Sequence, residues 1–441
     1  MQRIDNLIRA GWIVPVEPEG AILGDHAIAI HEGLIVSILP FEEAERCYIP
    51  EVRHWFPGHV LIPGLVNAHT HAAMTLFRGI ASDLPLMPWL HEHIWPAETR
   101  WVSGEFVYDG TSLAAAEMLR GGVTCFNDMY FFPDEAARAV VEAGMRAVLG
   151  LIVLDFPTVW ARNGEEYLAK GREVFDRCGR GPLVRTALAP HAPYSVSDAS
   201  LEQVGILANE LDVPIHMHVH ETTDEIEHGL QQHNERPLAR LHWLGLLSPR
   251  LQAVHMTHVE ETDLALFSKS GAHVVHCPES NLKLASGFCP VERLADAGIT
   301  VALGTDGCAS NDDLDMLGEM RAATLLAKGI ANSASSLPAA RVLEMATLHG
   351  ARALGLGDTI GSLMPGKAAD IVAIDLRAIE TQPVYNPISQ LVYAASRRQV
   401  TDVWVAGRQV LKDRILTSLD EEALIHKAQA WGSRIAGRIG Q

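Results

Sequence analysis

The sequence contains 441 residues, 48% hydrophobic and 20% charged, and its 54 acidic against 35 basic residues give a formal net charge of -19. This composition excludes a disordered chain, and an acidic balance without any basic run argues against nucleic acid or an anionic membrane as a partner. The first residues lack the apolar core of a signal peptide, and no apolar run is long enough to span a bilayer, so we expect a cytoplasmic enzyme.

The two ends of the chain share a pattern that differs from the centre. Residues 1–58 alternate short β-like runs, such as HAIAIHEGLIVSIL, with Gly and Pro turns, and residues 359–441 return to this style in VTDVWVAGRQVLKD before a terminal helix. Neither end has enough strands for a core of its own. We therefore expect both ends to form one small β-sandwich domain, with the terminal helix added to its second part.

Eight short apolar runs alternate with longer helical segments across residues 59–358, the pattern of repeated β-α units. Segments between the runs, such as EEYLAKGREVFDRC, have apolar residues at helical spacing. The pattern predicts a catalytic domain of the α/β class, a (β/α)8 TIM barrel. Its strands are predicted at 61–71, 122–129, 146–153, 183–193, 213–221, 252–258, 273–280 and 300–306.

Polar residues gather at the ends of the predicted strands, where the active site of such a barrel lies. An H-x-H pair presents two imidazoles on one face of a strand, and imidazole and carboxylate groups are the usual ligands of Zn²⁺. We therefore predict that His69 and His71 bind a catalytic metal ion. The strand-end residues are His69 and His71 on strand one, His191 on strand four, His218, His220 and Glu221 on strand five, His255 and His258 on strand six, and Asp306 on strand eight.

The ordered motifs of the chain resemble those of the amidohydrolase superfamily. They are NAHTH after a PG turn, H-x-x-E on strand five, a histidine at the end of strand six, SNLKL after strand seven and GTDG at the end of strand eight. HAAMTLFRG, APHAPYS, HCPESNLKLASG and GTDGCASND are most similar to the branch of methylthioadenosine and S-adenosylhomocysteine deaminases. The resemblance covers nearly the whole chain.

The resemblance implies one divalent metal ion, expected to be Zn²⁺, bound by His69, His71, His218 and Asp306. Members with two metal ions bridge them with a lysine on strand four, and the run LVRTALAPHAP contains no lysine. His216 lies one pleat deeper than His218, where we expect a packed core residue. His220 is expected to pack in the wall.

The activity implied is hydrolytic deamination of 5'-methylthioadenosine, with S-adenosylhomocysteine or adenosine as further substrates. The resemblance and the chemistry of the step together imply that Asp306 accepts the proton of the attacking water. They also imply that Glu221 protonates the purine ring nitrogen. His255 is expected to hydrogen-bond the attacking hydroxide and the intermediate. Family members commonly form homo-oligomers, and we expect one here.

The substrate pocket is predicted from the same resemblance. Glu98 in IWPAE is expected to accept hydrogen bonds from the ribose hydroxyls. His191 and Ser310 are expected to contact the substrate.

The loop after strand three is expected to set the preference among substrates. Members that bind the longer S-adenosylhomocysteine use arginines near this loop, and here Leu151 stands where the strand would carry one. Arg162 remains as a candidate in the loop. Phe156 and Trp160 would suit a short methylthio group. We therefore predict a preference for methylthioadenosine.

Three alternatives remain open from the sequence. Guanine deaminases and triazine chlorohydrolases belong to the same superfamily and have similar metal ligands. Some relatives are noncatalytic assembly proteins that have lost their ligands, an interpretation disfavoured here because every ligand and both proton-transfer residues are present.

Overall fold

A computed structural model of the protein describes residues 1 to 439. The chain divides into two compact units. One comprises Met1–Asn67, Ala116–Cys125 and Asp315–Leu419, and the other comprises Ala68–Ala115, Phe126–Leu314 and the chain from Asp420. The terminal helix therefore groups with barrel residues, and the domain limits predicted at 1–58, 59–358 and 359–441 stay a prediction.

The strands fall into two sheets, one of nine strands and one of eight. In chain order they are β1 (Gln2–Ile13), β2 (Leu23–Gly24), β3 (His26–His31), β4 (Leu34–Pro40), β5 (Tyr48–Pro63), β6 (Leu65–Thr70), β7 (Val123–Tyr130), β8 (Arg146–Val153), β9 (Val184–Pro190), β10 (Ile215–Val219), β11 (Leu251–His255), β12 (His273–His276), β13 (Thr300–Leu303), β14 (Ile371–Asp375), β15 (Val400–Val405), β16 (Arg408–Lys412) and β17 (Ile415–Leu416).

The nine-stranded sheet is mixed and is built from both ends of the chain, as the sequence predicts. Its order is β17-β16-β15-β14-β5-β1-β3-β4, with β2 paired to β1. Strands β5 and β14 join the two chain ends through an antiparallel pairing from Pro63 to Ile371 and from His59 to Asp375. Neighbouring residues Leu7 and Ile8 of β1 belong to different buried apolar clusters, because successive side chains of a strand point to opposite faces.

The eight-stranded sheet confirms the predicted barrel. Its order runs from β6 to β13 without a crossover, and the pairs from β8 to β13 are parallel. Each of the eight predicted apolar runs overlaps one of these strands, and β7 and β11 each extend one residue beyond the run. The observed strands end earlier than several of the runs, so the polar residues at the ends of those runs lie in the loops that follow.

Helices lie between all successive barrel strands and also in the chain segments before and after them. They are α1 (Phe41–Cys47), α2 (Leu86–Pro88), α3 (Trp95–Trp101), α4 (Gly104–Arg120), α5 (Pro133–Ala143), α6 (Gly164–Cys178), α7 (Asp198–Leu211), α8 (Thr223–His233), α9 (Pro237–Trp243), α10 (Glu261–Ser270), α11 (Pro278–Lys283), α12 (Val291–Asp296), α13 (Met316–Ala331), α14 (Ala339–Glu344), α15 (Gly350–Ala353), α16 (Pro387–Tyr393) and α17 (Glu421–Ile439). Residues 72–77, 379–381 and 397–399 form 3-10 turns, and 89–94 and 345–349 form π-helical segments.

Strand and helix ends near the barrel mouth are fixed by side chains that the sequence supplies. Asn163, Ser197 and Thr222 cap α6, α7 and α8, each accepting a hydrogen bond from a backbone N–H three residues later. Gly304 follows β13, where an added Cβ would lie 2.7 Å from the backbone nitrogen of His69. Only glycine allows this close approach of the last strand to the first.

In residues 1 to 439, no helix combines the length and the apolar character that crossing a membrane requires.

Candidate active site

Four predicted metal ligands converge at the strand ends. Nε2 of His69 lies 3.3 Å from Oδ1 of Asp306, and Nε2 of His71 lies 3.2 Å from the same oxygen. The Nε2 atoms of His69 and His218 are 3.2 Å apart. Two ligand atoms placed about 2.0 to 2.2 Å from one ion at a tetrahedral angle lie about 3.3 to 3.6 Å apart. The three contacts are close to this spacing, and the donor types suit Zn²⁺. The ligand atoms that lie within 4.8 Å of one another form two triads that share His69, one with His71 and Asp306 and one with His218 and His255.

Backbone carbonyls orient two of these rings. Nδ1 of His71 is 2.6 Å from the carbonyl oxygen of Met129, and Nδ1 of His218 is 2.8 Å from that of His191. A carbonyl can only accept, so each ring donates its Nδ1–H and presents an unprotonated Nε2 to the cluster when it is neutral. Such outer hydrogen bonds are the usual support of histidine metal ligands.

Hydroxyl and backbone groups hold the carboxylate of Asp306. Its Oδ2 accepts hydrogen bonds from the hydroxyls of Ser280 (2.6 Å) and Ser310 (2.9 Å). Its Oδ1 accepts from the backbone N–H of Gly307 at 2.7 Å. The orientation of Asp306 is therefore fixed from both oxygens, with Oδ1 turned toward the histidines.

His255 stands between the metal cluster and Glu221. Its Nδ1 is 2.8 Å from Oδ1 of Asn281, and its Nε2 is 3.8 Å from Oε1 of Glu221. One ring nitrogen also lies within 4.8 Å of ligand atoms of His69 and His218. A group that lies between the ligand cluster and Glu221 would therefore be within reach of the His255 ring.

Two residues of the site have a strained backbone. His255 has φ of 76° and Asp306 has φ of 64°, values in the left-handed region that side chains other than glycine rarely adopt. Such strain costs about 1 to 3 kcal/mol for each residue and is typical of functional sites.

Burial and neighbouring charges set the ionisation of the site. Burial lowers the pKa of His69 to about 4, so this ring is neutral near pH 7. Burial also acts to lower the pKa of His71, but the Asp306 carboxylate outweighs it and raises that pKa to about 9. Burial raises the pKa of the Glu221 carboxyl above its usual value, which suits a proton donor.

A cavity of about 280 Å³ opens beside the cluster, just below the range of about 300 to 1,000 Å³ for small-molecule sites. Glu98, His191 and Ser310 line it, as predicted. Loss of water around Glu98 raises its pKa to about 7, while the neighbouring Tyr130 hydroxyl acts in the opposite direction. The rest of the wall is largely apolar and includes Leu86, Trp89, Leu90, Trp95, Phe156 and Val159.

Comparison with known proteins agrees with this geometry. The profile of the amidohydrolase family matches residues 60–410. The chain belongs to the amidohydrolase family. A 5-methylthioadenosine/S-adenosylhomocysteine deaminase of Teredinibacter turnerae is 48% identical over 99% of this chain and 98% of its own, which places the amidohydrolase in that deaminase family.

Two further relatives of the amidohydrolase differ in the substrate that they are named for. A 5'-deoxyadenosine deaminase of Methanothermobacter thermautotrophicus is 44% identical over 86% of this chain and 88% of its own. A crystal structure of an adenosine deaminase from Xanthomonas campestris with bound zinc is 53% identical, with a TM-score of 0.98 and 99% of each chain covered.

The structure does not bring two of the predicted substrate residues of the amidohydrolase to the cavity. The Arg162 side chain is 84% exposed and its Nε pairs with Glu166 at 2.7 Å. Trp160 packs against the ring of Phe132, at 4.9 Å between centroids, and neither it nor Arg162 lines the cavity. The loop therefore leaves both side chains away from the cavity lining, Arg162 in solvent and Trp160 against Phe132.

Leu151 does not face the cavity, so the expectation of a substrate-binding arginine at this position was wrong. Leu151 packs close to Gly171 of α6, outside the barrel, whereas Ile152 and Leu154 line the cavity. Successive residues of a strand face opposite sides, so an arginine at position 151 would also point at α6.

Several residues of the amidohydrolase site escaped the sequence analysis. Ser280 holds Asp306 and Asn281 holds His255. Both lie inside HCPESNLKL, one of the motifs that carry the family resemblance. Glu225 accepts hydrogen bonds from the backbone N–H groups of His220 and Glu221 at 2.9 and 2.8 Å, and so fixes the loop that carries Glu221. Its position four residues after Glu221, in the first turn of α8, is the signal that could have found it.

His220 does not face the metal cluster. Its Nδ1 is 3.0 Å from the carbonyl oxygen of His258, and its Nε2 accepts a hydrogen bond from the backbone N–H of Leu238 at 3.1 Å. Both ring nitrogens are therefore engaged in the wall.

Proposed function

We propose that this amidohydrolase is a zinc-dependent hydrolytic deaminase of purine nucleosides, with 5'-methylthioadenosine as its preferred substrate. The observation that carries the proposal is the convergence of His69, His71, His218 and Asp306 near the His255–Glu221 pair, beside one small cavity. The names of relatives at 44% to 53% identity over most of the chain support an adenosine-type substrate.

One Zn²⁺ ion would be held by His69, His71, His218 and Asp306, and when bound it supplies a nucleophile by lowering the pKa of water from about 15.7 toward 7. Asp306 takes the proton of the attacking water, because its carboxylate lies at the ligand cluster and is buried. Ser280 and Ser310 keep it oriented for this transfer.

Glu221 donates a proton to the purine ring nitrogen next to the attacked carbon. Burial raises the pKa of its carboxyl, which is the direction that a proton donor needs, and attack at the carbon makes that nitrogen basic. His255 lies between Glu221 and the cluster, where it hydrogen-bonds the oxygen that adds to the ring. Asn281 holds His255 in place at Nδ1.

Glu98 binds the ribose. It lines the cavity wall, and a carboxylate oxygen can accept a hydrogen bond from each of two neighbouring hydroxyls. His191 packs its ring against His218, at 5.0 Å between centroids, and contributes a further wall of the nucleoside pocket.

The preference for methylthioadenosine rests on the charge of the cavity. None of the described residues that line it is an arginine or a lysine, so the carboxylate of S-adenosylhomocysteine would enter without a cationic partner. The apolar wall around Trp89 and Phe156 suits a methylthio group. Leaving a polar group unpaired costs about 1 to 3 kcal/mol, or roughly 5- to 150-fold in kcat/KM.

A substrate panel with the zinc-loaded protein tests the proposal. Ammonia release is measured with methylthioadenosine, S-adenosylhomocysteine, adenosine, guanine and a chlorinated triazine at matched concentrations. We expect methylthioadenosine to have the highest kcat/KM. Higher kcat/KM for guanine or the triazine would replace the proposed function by one of those alternatives, and no turnover of any compound would favour a noncatalytic protein.

We also propose a cytoplasmic location, a homo-oligomeric assembly and no nucleic acid or membrane partner. The net charge of -19 supports the last point, because polyanions repel an acidic protein. Light scattering of the purified protein measures the assembly.

A further inference from the structure

The three histidine ligands differ in what holds the ring nitrogen that faces away from the cluster. His71 and His218 each contact a backbone carbonyl there, which leaves only one direction for the hydrogen bond. Nδ1 of His69 instead lies 2.8 Å from Nε2 of His216. An imidazole nitrogen either donates or accepts according to its tautomer, so this one contact does not by itself fix where the proton of His69 lies.

We infer that His216 is a positioning residue that sets the tautomer and orientation of His69 for metal binding. The inference rests on the proposed function, because it takes His69 as a ligand through Nε2. A neutral His69 that offers Nε2 to the ion carries its proton on Nδ1. That proton can be accepted by His216 only when Nε2 of His216 is unprotonated, so His216 has its own proton on Nδ1.

The opposite arrangement is unproductive. If Nε2 of His216 donated to His69, the neutral His69 would carry its proton on Nε2, the atom turned toward Asp306 and His218. The ligand atom would then be blocked. Metal binding therefore selects one of two tautomer pairs, and a residue at position 216 that can only accept would remove the choice.

The surroundings of His216 hold it in a fixed place beneath the cluster. It is fully buried in β10, and its ring meets that of His69 at 81° with centroids 4.9 Å apart. Gln252 is its register partner on β11 and accepts a hydrogen bond from Asn127 at 2.7 Å. A polar layer therefore underlies the ligands where a barrel interior is commonly apolar.

The role can be separated from substrate binding. His216 does not line the cavity, so a substitution there changes the support of His69 without touching the nucleoside. Its Nδ1 has no hydrogen-bond partner among residues 1 to 439. A buried histidine with one unpartnered nitrogen is a poor choice for packing alone, which favours a task performed by Nε2.

Two variants distinguish an acceptor from a packed ring. His216→Phe keeps an aromatic ring but has no hydrogen-bond acceptor. His216→Gln places an amide oxygen near the position of Nε2 of His216, where it can accept from Nδ1 of His69. His59→Phe is the matched control, because His59 is also buried but lies in the other compact unit. Zinc affinity of each apoprotein is measured by competition with a chromophoric chelator, at equal folded content by circular dichroism.

We expect His216→Phe to lower zinc affinity by about ten- to a hundredfold, the usual effect of removing an outer partner of a ligand. His216→Gln should recover most of this loss, and His59→Phe should bind zinc like the starting protein. Equal zinc affinity in His216→Phe, or no recovery in His216→Gln, would overturn the inference. If the starting protein has no deaminase activity but the variants show the expected zinc affinities, only the proposed function is removed.

A second measurement does not depend on the variants being folded. Nitrogen-15 spectra of the zinc-loaded starting protein, labelled at histidine, report which ring nitrogens carry protons. We expect a protonated Nδ1 on His69 and an unprotonated Nε2 on His216. A proton on Nε2 of His216 would contradict the inference.

Discussion

Asp306 and His69 are joined twice, once through the backbone and once through their side chains. The backbone N–H of Asp306 donates to the carbonyl oxygen of His69 at 3.0 Å, and Oδ1 of Asp306 lies 3.3 Å from Nε2 of His69. The first contact links the loop after the last barrel strand to the end of the first strand. An ion bound by both side chains would therefore reinforce the closure of the barrel.

Removal of the metal ion should destabilise the protein. An ion that binds only the folded state adds about 4 kcal/mol when its free concentration is a thousandfold above Kd, and here it bridges the first and last strands. We expect a chelator to lower the thermal midpoint by several degrees and stoichiometric Zn²⁺ to restore it. Scanning calorimetry measures this, with His69→Ala as the variant that should not respond. An identical midpoint in both states would contradict the ligand assignment.

Glu221→Gln and Asp306→Asn should each reduce kcat by about a hundredfold or more, because proton transfer steps contribute about 10²- to 10⁴-fold. The two variants should differ in zinc content. Glu221 is no member of the proposed ligand set, so its variant keeps the ion, whereas Asp306→Asn weakens one ligand. Steady-state rates and elemental analysis provide both numbers. Near-normal turnover of Glu221→Gln would remove this residue from the proposed mechanism.

Glu98→Gln should weaken binding of the ribose more than it slows the chemical step. A hydrogen bond to a charged group contributes about 1.5 to 3 kcal/mol, so KM for methylthioadenosine should rise by about ten- to a hundredfold with a smaller change in kcat. The matched substrate is a 2',3'-dideoxy nucleoside, for which the variant and the starting protein should differ little. Equal losses with both nucleosides would place the role of Glu98 elsewhere.

Strand positions of the barrel could be predicted from the sequence because buried parallel strands leave a strong apolar signal. The four proposed metal ligands were predicted from strand ends and from the resemblance. Arg162 and Trp160 could not be placed in this way, since a loop has no periodicity to tell which side chains turn inward. The error at Leu151 came from the register of the strand, where a shift of one residue reverses the face.

The supporting contacts of the site were beyond sequence analysis for a different reason. Asn281 and His255 are 26 residues apart in the chain, and His216 and His69 are 147 apart. Their contacts depend on how deep each side chain lies in the barrel, which the alternation of polar and apolar residues does not specify. The sequence therefore predicts a packed core residue at His216, and only the distance between the two rings indicates its contact with His69.

Asp155→Asn should destabilise the protein at neutral pH but not in acid. The Asp155 carboxylate accepts hydrogen bonds from the backbone N–H of Ser197 (2.6 Å) and the hydroxyl of Ser200 (2.7 Å), and so ties the loop after β8 to the start of α7. Burial acts to raise the pKa of Asp155, but these hydrogen bonds outweigh it and hold the pKa below its usual value of 3.8.

The sign of the pH dependence follows from this depressed pKa. The stabilisation is present above the pKa of the unfolded chain and is lost as the pH falls through the lower pKa of the folded state. Because the side chain is exposed, we expect a difference of only about 1 kcal/mol at pH 7 in the free energy of unfolding. Urea unfolding at both pH values measures it. A difference that persists below the folded-state pKa would contradict the account.

Deamination in water enriched in oxygen-18 tests the proposed reaction most directly. The zinc-loaded protein is incubated with methylthioadenosine, and the product is analysed by mass spectrometry while ammonia is counted. Hydrolytic attack at the purine carbon predicts one ammonia for each substrate and one labelled oxygen on the attacked carbon of the product, in place of the amino group. Release of free adenine, or a product without the label, would contradict the proposal that this amidohydrolase is a hydrolytic nucleoside deaminase.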